Sequence, residues 1–289
     1  MNNEDLILKI ADEKNLRLAF EKIKKKNKGK GLDNQSVKDI EKNLDQVINK
    51  MSKQLLNLSY HPGVAKKVLI SKKDKRNKRA IFIMNNKDKI IQNAILLKID
   101  PIFDMKFSNK SFAFRHHKSY LDALDLVIKY LNRGYIYILK IDIQSFFDTI
   151  PHEKLLEILN KDIKNKETMI IIKRYLKQKT FYRGKFKINK LGILQGSAIS
   201  PLFANTYLNN LDLLLEKEKG IKFVRYADDL VILSCEKKSL EKTLNLVMKW
   251  IRNYKLKINL EKSSVIKIYK KAEFDFLGYH FKNKRVMKI

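Results

Sequence analysis

Two neighbouring acids, Asp228 and Asp229, sit inside Lys222–Ser234 (KFVRYADDLVILS), between two apolar segments of strand character. Adjacent strand residues point to opposite faces, so both carboxylates can serve one place only where the chain turns, at Ala227–Asp229. Asp is also common in turns, and a plain polar turn is the competing reading. The flanking Phe223, Val224, Tyr226, Leu230, Val231, Ile232 and Leu233 favour burial. Buried paired carboxylates are costly unless a cation neutralises them. A third acid, Asp142, ends the apolar run Tyr135–Asp142 within IYILKIDIQSFFDTI. A strand-terminal acid is common in itself, but three acids at strand ends can form a cage of oxygen donors. Hard ligands without His or Cys suit Mg²⁺ together with substrate phosphates. Two such ions could clamp the attacking and leaving oxygens of a phosphoryl transfer. Asp148 is read instead as a structural acid at the start of the helix containing Pro151 and Glu153.

The elements that must position these acids follow from periodicity. Tyr135–Asp142 alternates and is rich in aromatic and β-branched residues, which predicts a strand. Helices are expected over 151–160 and 168–177, and a hairpin over 180–190 turning at Arg183–Gly184. A helix over 198–217, paired strands over 222–226 and 230–234, a helix over 240–254 and late strands over 265–269 and 274–281 complete this half. Upstream, 4–26 reads as one helix and 37–55 keeps helical spacing. Strands are expected over 64–70 and 79–84, with a charged tip at 72–78. Asn85 or Asn86 can cap a helix to about Phe107, and another helix spans 120–133. The order predicts an α+β fold, a sheet with helices on one face.

The chain has 289 residues, with 62 Lys and Arg against 31 Asp and Glu, a formal net charge of +31. Such a surface favours a polyanion as partner, although an AT-rich coding bias, which enriches Lys, Ile and Asn, would also raise the charge. Hydrophobic residues make up 44%, too many for a disordered basic tail. The single Cys235 excludes a disulfide framework, a structural zinc site and a CxxC centre, and is expected to be a small buried hydrophobe. No apolar run approaches the roughly 20 residues of a membrane span. No signal peptide is evident, so a cytoplasmic protein without a membrane partner is expected. His116 and His117 stand apart from Cys and from other His and are read as surface residues or nucleic-acid contacts.

At this point the motifs resemble a known family. FVRYADD, Phe223–Asp229, is similar to the catalytic C motif of reverse transcriptases, in particular those of group II introns. Asp142 in DIQSFFDTI resembles their A motif, and Gln195–Asp212 (QGSAISPLFANTYLNNLD) their B motif with QGxxxSP intact. INLEKS, Ile258–Ser263, resembles the D motif, and FDFLGY, Phe274–Tyr279, the primer-grip E motif. Lys78–Phe82 and Lys87–Leu96 resemble the fingers, and NKGKGLD, Asn27–Asp33, the N-terminal extension of group II-like enzymes. The departures are a fingers strand reading RAIFI where intron enzymes usually carry RPLGIP, and only ten residues after Tyr279, where a helical thumb is usual. No maturase or endonuclease segment is evident.

The resemblance implies a right-hand polymerase: a ferredoxin-like antiparallel palm sheet with helices on one face, plus fingers. Residues 1–134 would be N-terminal extension and fingers. Residues 135–289 would be palm with the primer-grip hairpin, with fingers elements interleaved around 150–200. It implies an RNA-directed DNA polymerase in which Asp142, Asp228 and Asp229 hold two Mg²⁺ ions, with Mn²⁺ as a substitute. Phe147 would be the steric gate against a 2′-OH; a core aromatic beside Phe146 is the alternative. Arg79, Ile143, Ser145, Phe146, Gln195, Gly196 and Lys262 would contact the nucleotide, with Lys72 and Lys73 as weaker candidates beside Arg79. Phe276, Leu277 and Gly278 would grip the primer. Implied partners are an RNA template and a DNA or RNA primer, with a structured RNA, a second subunit or further copies of the chain replacing the thumb. Defence, CRISPR-associated and mobile-element roles stay open. So does an RNA-binding, maturase-like cofactor with residual or template-independent activity.

Overall fold

The computed structural model describes residues 5–26, 29–71, 78–258, 264–267, 273–282 and 285–288. Its contacts divide the chain into two compact units, Met1–Met105 with Ile150–Phe203 and Lys106–Thr149 with Ala204–Ile289. The boundary expected at 134/135 therefore differs from this division. The helix Tyr120–Asn132 buries Ala123, Leu124, Val127, Tyr130 and Leu131 against Ile138, Val224, Val231 and Leu233, so it belongs with the second unit's sheet. Burying a side chain such as Leu124 contributes roughly 1.5–3 kcal/mol, and that face outweighs sequence order.

In the first unit, the helix expected over 4–26 is two helices, Leu6–Ala11 and Glu13–Lys26, broken where Asp12 turns extended. Likewise Val37–Lys42, started by a Ser36–Asp39 capping box, is separated from Leu44–Leu56 by the non-helical Asn43. The long helix Asn86–Asp104 packs against Glu13–Lys26, where Asn15 donates to the carbonyls of Ile10 and Ala94 at 3.0 and 3.1 Å. Asn85 occupies its N-cap position without a side-chain capping bond. Asn86 instead ties down the preceding segment, donating to the Gly29 and Gln35 carbonyls at 3.0 and 2.9 Å. Strands Ala65–Ser71 and Lys78–Ile83 pair antiparallel. Lys179–Tyr182 joins the first of them in parallel, and Lys185–Ile188 closes the edge. Both residues of the Arg183–Gly184 turn have positive φ, 47° and 76°, the type I′ requirement. This unit also buries Asp88, which accepts from Tyr60 Oη and from the Gly63 amide (3.1 Å). Burial raises the Asp88 pKa to about 6 against the pull of those donors.

Among the described residues, the second unit is built on an antiparallel sheet ordered Ile221–Tyr226, Asp229–Ser234, Tyr137–Asp142, Ser264–Lys267. The apolar character of Tyr137–Asp142 and Asp229–Ser234 fits their central places. The helix Lys237–Asn253 packs on these two strands. The late segment 274–281, expected as one strand, is a hairpin of Glu273–Phe276 and Tyr279–Lys282, extended by Arg285–Lys288. Its turn, Leu277–Gly278, has φ 54° and 78°. Leu is an unusual residue at positive φ, and the apolar run through it hid the turn. Phe274 and Phe281 stack at 4.5 Å and enter the core with Phe276. Cys235 is exposed rather than buried, because the strand ends at Ser234 and Cys235 leaves it toward the helix at Lys237. No helix among the described residues is long and apolar enough to cross a membrane.

Candidate active site

The second unit carries the acids. Asp142 ends its strand directly opposite Asp229, and Asp229 is opposite Tyr226 across the hairpin. Residues facing each other across antiparallel strands share a sheet face, with Cα atoms roughly 5 Å apart. Asp142 and Asp229 therefore lie on one face at one end of the sheet. Asp228 occupies the two-residue turn beside them with Ala227, whose φ is 57°. Like charges directly opposite on a sheet repel. The facing pair fits a hard divalent cation by its donor chemistry, all oxygen without His or Cys. Among the described residues, no group of three or more His, Cys, Asp or Glu side chains is drawn close enough to hold a metal ion. The arrangement is a facing pair with a third acid at the turn.

The chain after Asp142 is fixed by backbone bonds within the same unit. Ile143 forms an isolated antiparallel bridge with Ile258, and the Gln144 amide donates to the Lys257 carbonyl at 2.8 Å. Ser145 turns left-handed (φ 46°), and the Asp148 amide donates to its carbonyl at 2.8 Å. Asp148 thus lies in the short helix Phe146–Thr149, not at the start of the following helix, His152–Asn160, whose N-cap is Pro151. Phe147 is buried edge-on against Phe146, with ring centres 5.9 Å apart. Phe146 packs on Tyr207, Tyr207 on Tyr254, and Tyr254 stacks on Trp250 at 4.0 Å. Tyr207 Oη donates to the Tyr254 carbonyl at 2.6 Å. This aromatic row seats the loop after Asp142. Phe276, Leu277 and Gly278 lie at the end of the hairpin described above.

The first unit gathers another part of the expected set. Arg79 Nε donates to Gln195 Oε1, and the Phe82 amide donates to the Gln195 carbonyl at 2.7 Å. Gly196 has φ 106°, and a Cβ there would stand 2.4 Å from the Phe82 carbonyl oxygen, so only glycine fits. Gln92 holds the next turn, accepting from Ser197 Oγ and the Ala198 amide, both at 3.0 Å. Sequence reasoning assigned Gln92 no role; its signal was an amide on the buried side of an apolar helix. His116 and His117 are exposed. Lys72, Lys73 and Lys262 lie outside the described residues, as does most of the INLEKS segment.

An antiparallel sheet with aspartates facing each other at one end, and a third in the adjoining hairpin turn, is the architecture of a polymerase palm. Residues 70–281 match the family "Reverse transcriptase (RNA-dependent DNA polymerase)", and the chain belongs to it. Its relatives include group II intron-encoded proteins. The COX1/OXI3 intron 2 protein of Saccharomyces cerevisiae is 28% identical over 97% of this chain and 39% of its own length. The group II intron-encoded protein LtrA of Lactococcus lactis subsp. cremoris is 28% identical over 65% of this chain and 31% of its own length. The chain thus spans well under half the length of either relative. Apo telomerase from Candida tropicalis, truncated of its C-terminal domain, superposes with a TM-score of 0.57 at 17% identity, over 78% of this chain and 55% of that one. That likeness shows the palm-and-fingers fold.

Proposed function

We propose that this chain is an RNA-directed DNA polymerase that extends a primer 3′-OH with deoxynucleotides. The observation that carries the reading is the register of Asp142 against Asp229, with Asp228 in the adjoining turn. In the reaction the primer 3′-oxygen, losing its proton, attacks the α-phosphorus; the bond to the bridging oxygen breaks and pyrophosphate departs. Asp142, Asp228 and Asp229 would hold two Mg²⁺ ions, with Mn²⁺ as substitute. Those ions supply Lewis-acid stabilisation of the attacking and leaving oxygens. The chain's residues orient the reactants. Phe147, seated by the aromatic row, excludes a 2′-OH from the sugar position. The loop Ile143–Phe146 lies beside the triphosphate, where Ser145 and Phe146 present their backbone. Arg79 binds phosphate oxygens bidentately, with Gln195 holding its guanidinium. Gly196 lets the backbone approach the nucleotide. Phe276, Leu277 and Gly278 support the primer end, and Lys262 neutralises the departing pyrophosphate.

The net charge of +31 supports binding to template and primer backbones. Kinship to intron-encoded proteins supports a structured RNA as natural partner. The test is primer extension on an RNA template. Wild-type chain should incorporate deoxynucleotides in Mg²⁺, and Asp142→Asn or Asp228→Asn should abolish incorporation while RNA binding persists. Extension by both variants at the wild-type rate would sink the reading.

A further inference from the structure

One charged side chain of the strand Ile221–Tyr226 enters the protein interior. Arg225 is 1% exposed and its partner Asp212 is 0% exposed. Arg225 Nε donates to Asp212 Oδ1 and Oδ2 at 2.8 and 3.0 Å, and Nη2 donates to Oδ2 at 2.6 Å. The remaining amine, Nη1, donates to Asn205 Oδ1 at 3.0 Å and to the Ala227 carbonyl at 2.9 Å. Asn205 and Asp212 are seven residues apart on the helix Ser200–Glu216, hence on one helix face. Stability is a poor reason for such a cluster, because well-packed apolar residues usually replace a buried ion pair at no loss.

What the cluster reaches is more informative. Ala227 is the first turn residue of the acid-bearing hairpin, at a φ of 57° that favours glycine. Such a conformation is strained for a residue with a Cβ and persists only where surroundings over-determine it. Arg225 supplies that constraint from behind the sheet. In register it faces Leu230 and Ile141, whereas Tyr226, Asp229 and Asp142 occupy the opposite face. The strand is itself pinned at this residue. The Arg225 amide donates to the Lys110 carbonyl at 2.9 Å, and the Phe112 amide to the Arg225 carbonyl at 3.0 Å. Asn205 Nδ2 donates to the Ala113 carbonyl at 2.8 Å, fixing the amide that orients Nη1.

We infer that Arg225, oriented by Asp212 and Asn205, is a positioning residue that holds the Ala227–Asp228 turn and thereby places the Asp228 and Asp229 carboxylates. The inference rests on the proposed role of those acids toward a divalent cation. Its test separates placement from stability. The double variant Arg225→Met/Asp212→Leu replaces the ion pair with apolar side chains and removes the donor to Ala227. Amide exchange across 223–231, Mn²⁺ affinity from the free-ion electron paramagnetic resonance signal, and kcat and KM for a deoxynucleotide are read on the full chain. A folded variant should show at least tenfold faster exchange at the turn, at least tenfold weaker Mn²⁺ binding, and a fall in kcat larger than any rise in KM. Wild-type exchange or wild-type Mn²⁺ affinity in the folded variant would overturn the inference. If the double variant does not fold, Arg225→Lys, which keeps the charge beside Asp212 but lacks the guanidinium fork, decides by the same readouts. A wild-type chain that binds no Mn²⁺ counts against the proposed function, while the exchange rates still decide whether Arg225 holds the turn.

Discussion

The two units turn a hairpin and bury a carboxylate in opposite ways. In the first, the Arg183–Gly184 turn is exposed, carries a glycine and is followed by an edge strand, Lys185–Ile188, that is exposed throughout. Its buried acid, Asp88, is held by a tyrosine hydroxyl and a backbone amide. In the second, the Ala227–Asp228 turn has no glycine, and the buried acid Asp212 is held by an arginine that also grips the turn. Burial raises the Asp212 carboxyl, and the Arg225 guanidinium offsets only part of that rise. The contrast teaches that a glycine turn satisfies itself locally. A turn that must present acids in a set direction draws its geometry from the far side of the sheet.

The largest expected effect tests whether only one of these turns is chemical. Asp228→Ala or Asp142→Ala should lower kcat by at least roughly 10²-fold, with RNA binding retained. Gly184→Ala, in the other hairpin, should leave kcat within about twofold. Equal losses from Gly184→Ala and Asp228→Ala in single-turnover extension would erase the distinction between the units.

The buried acids should separate by pH. Asp88 has a folded pKa of about 6, above its unfolded value near 3.8. Between those values the folded state holds a proton that the unfolded state has released, so stability falls as pH rises from about 4 through about 6. The loss is on the order of 3 kcal/mol. Exposed acids with lowered pKa, such as Asp39 and Asp122, contribute the opposite slope. The difference between wild type and Asp88→Asn therefore isolates the effect. Urea midpoints at pH 4.5, 6 and 7.5 should converge less favourably for wild type as pH rises, and a constant difference would show that Asp88 stays ionised throughout.

Selectivity distinguishes the units at a smaller scale. Phe147→Val in the second unit should raise the ribonucleotide to deoxynucleotide ratio of kcat/KM on the order of tenfold. Arg79→Ala in the first unit should raise KM for both nucleotides and leave that ratio alone. A ratio moved by Arg79→Ala and untouched by Phe147→Val would make Phe147 a core residue only.

How much of this was legible in the sequence depended on whether the cause was local. The turn at Arg183–Gly184 and the strand ending at Asp142 were readable, because turn chemistry and alternation are properties of neighbouring residues. The break at Asp12 was not, since the buried residues Ile7, Ala11, Asn15, Ala19 and Ile23 keep an i,i+4 spacing across it. Leu277–Gly278 was hidden in the apolar run FDFLGY. The three acids were singled out by their places at strand ends and a turn, and then by motif order, whereas the Arg225–Asp212 pair was not, although a lone Arg in an apolar strand and a lone Asp in an apolar helix each ask for a partner. Nothing in their spacing says that they meet, or that the guanidinium continues to the Ala227 carbonyl.

The smallest effect compares the turns directly. Gly184 and Ala227 both adopt positive φ, 76° and 57°. Nothing lies within 4 Å of where a Gly184 Cβ would stand, so Gly184→Ala meets backbone strain alone, about 1 kcal/mol. Ala227→Gly removes strain of similar size but adds roughly 0.4–1 kcal/mol of unfolded-state freedom, leaving a gain between zero and about 0.6 kcal/mol. Melting temperatures should therefore move in opposite directions, down by roughly 2–4 °C for Gly184→Ala and up by less for Ala227→Gly. The sign at 227 depends on Arg225. With the carbonyl held, glycine's extra freedom in the folded state is suppressed and the relief of strain shows as stability. In an Arg225→Lys background the same Ala227→Gly change should also speed amide exchange across the turn. A fall in melting temperature for Ala227→Gly in the wild-type background would mean that Ala227 carries no strain, and that the two turns differ in sequence but not in mechanics.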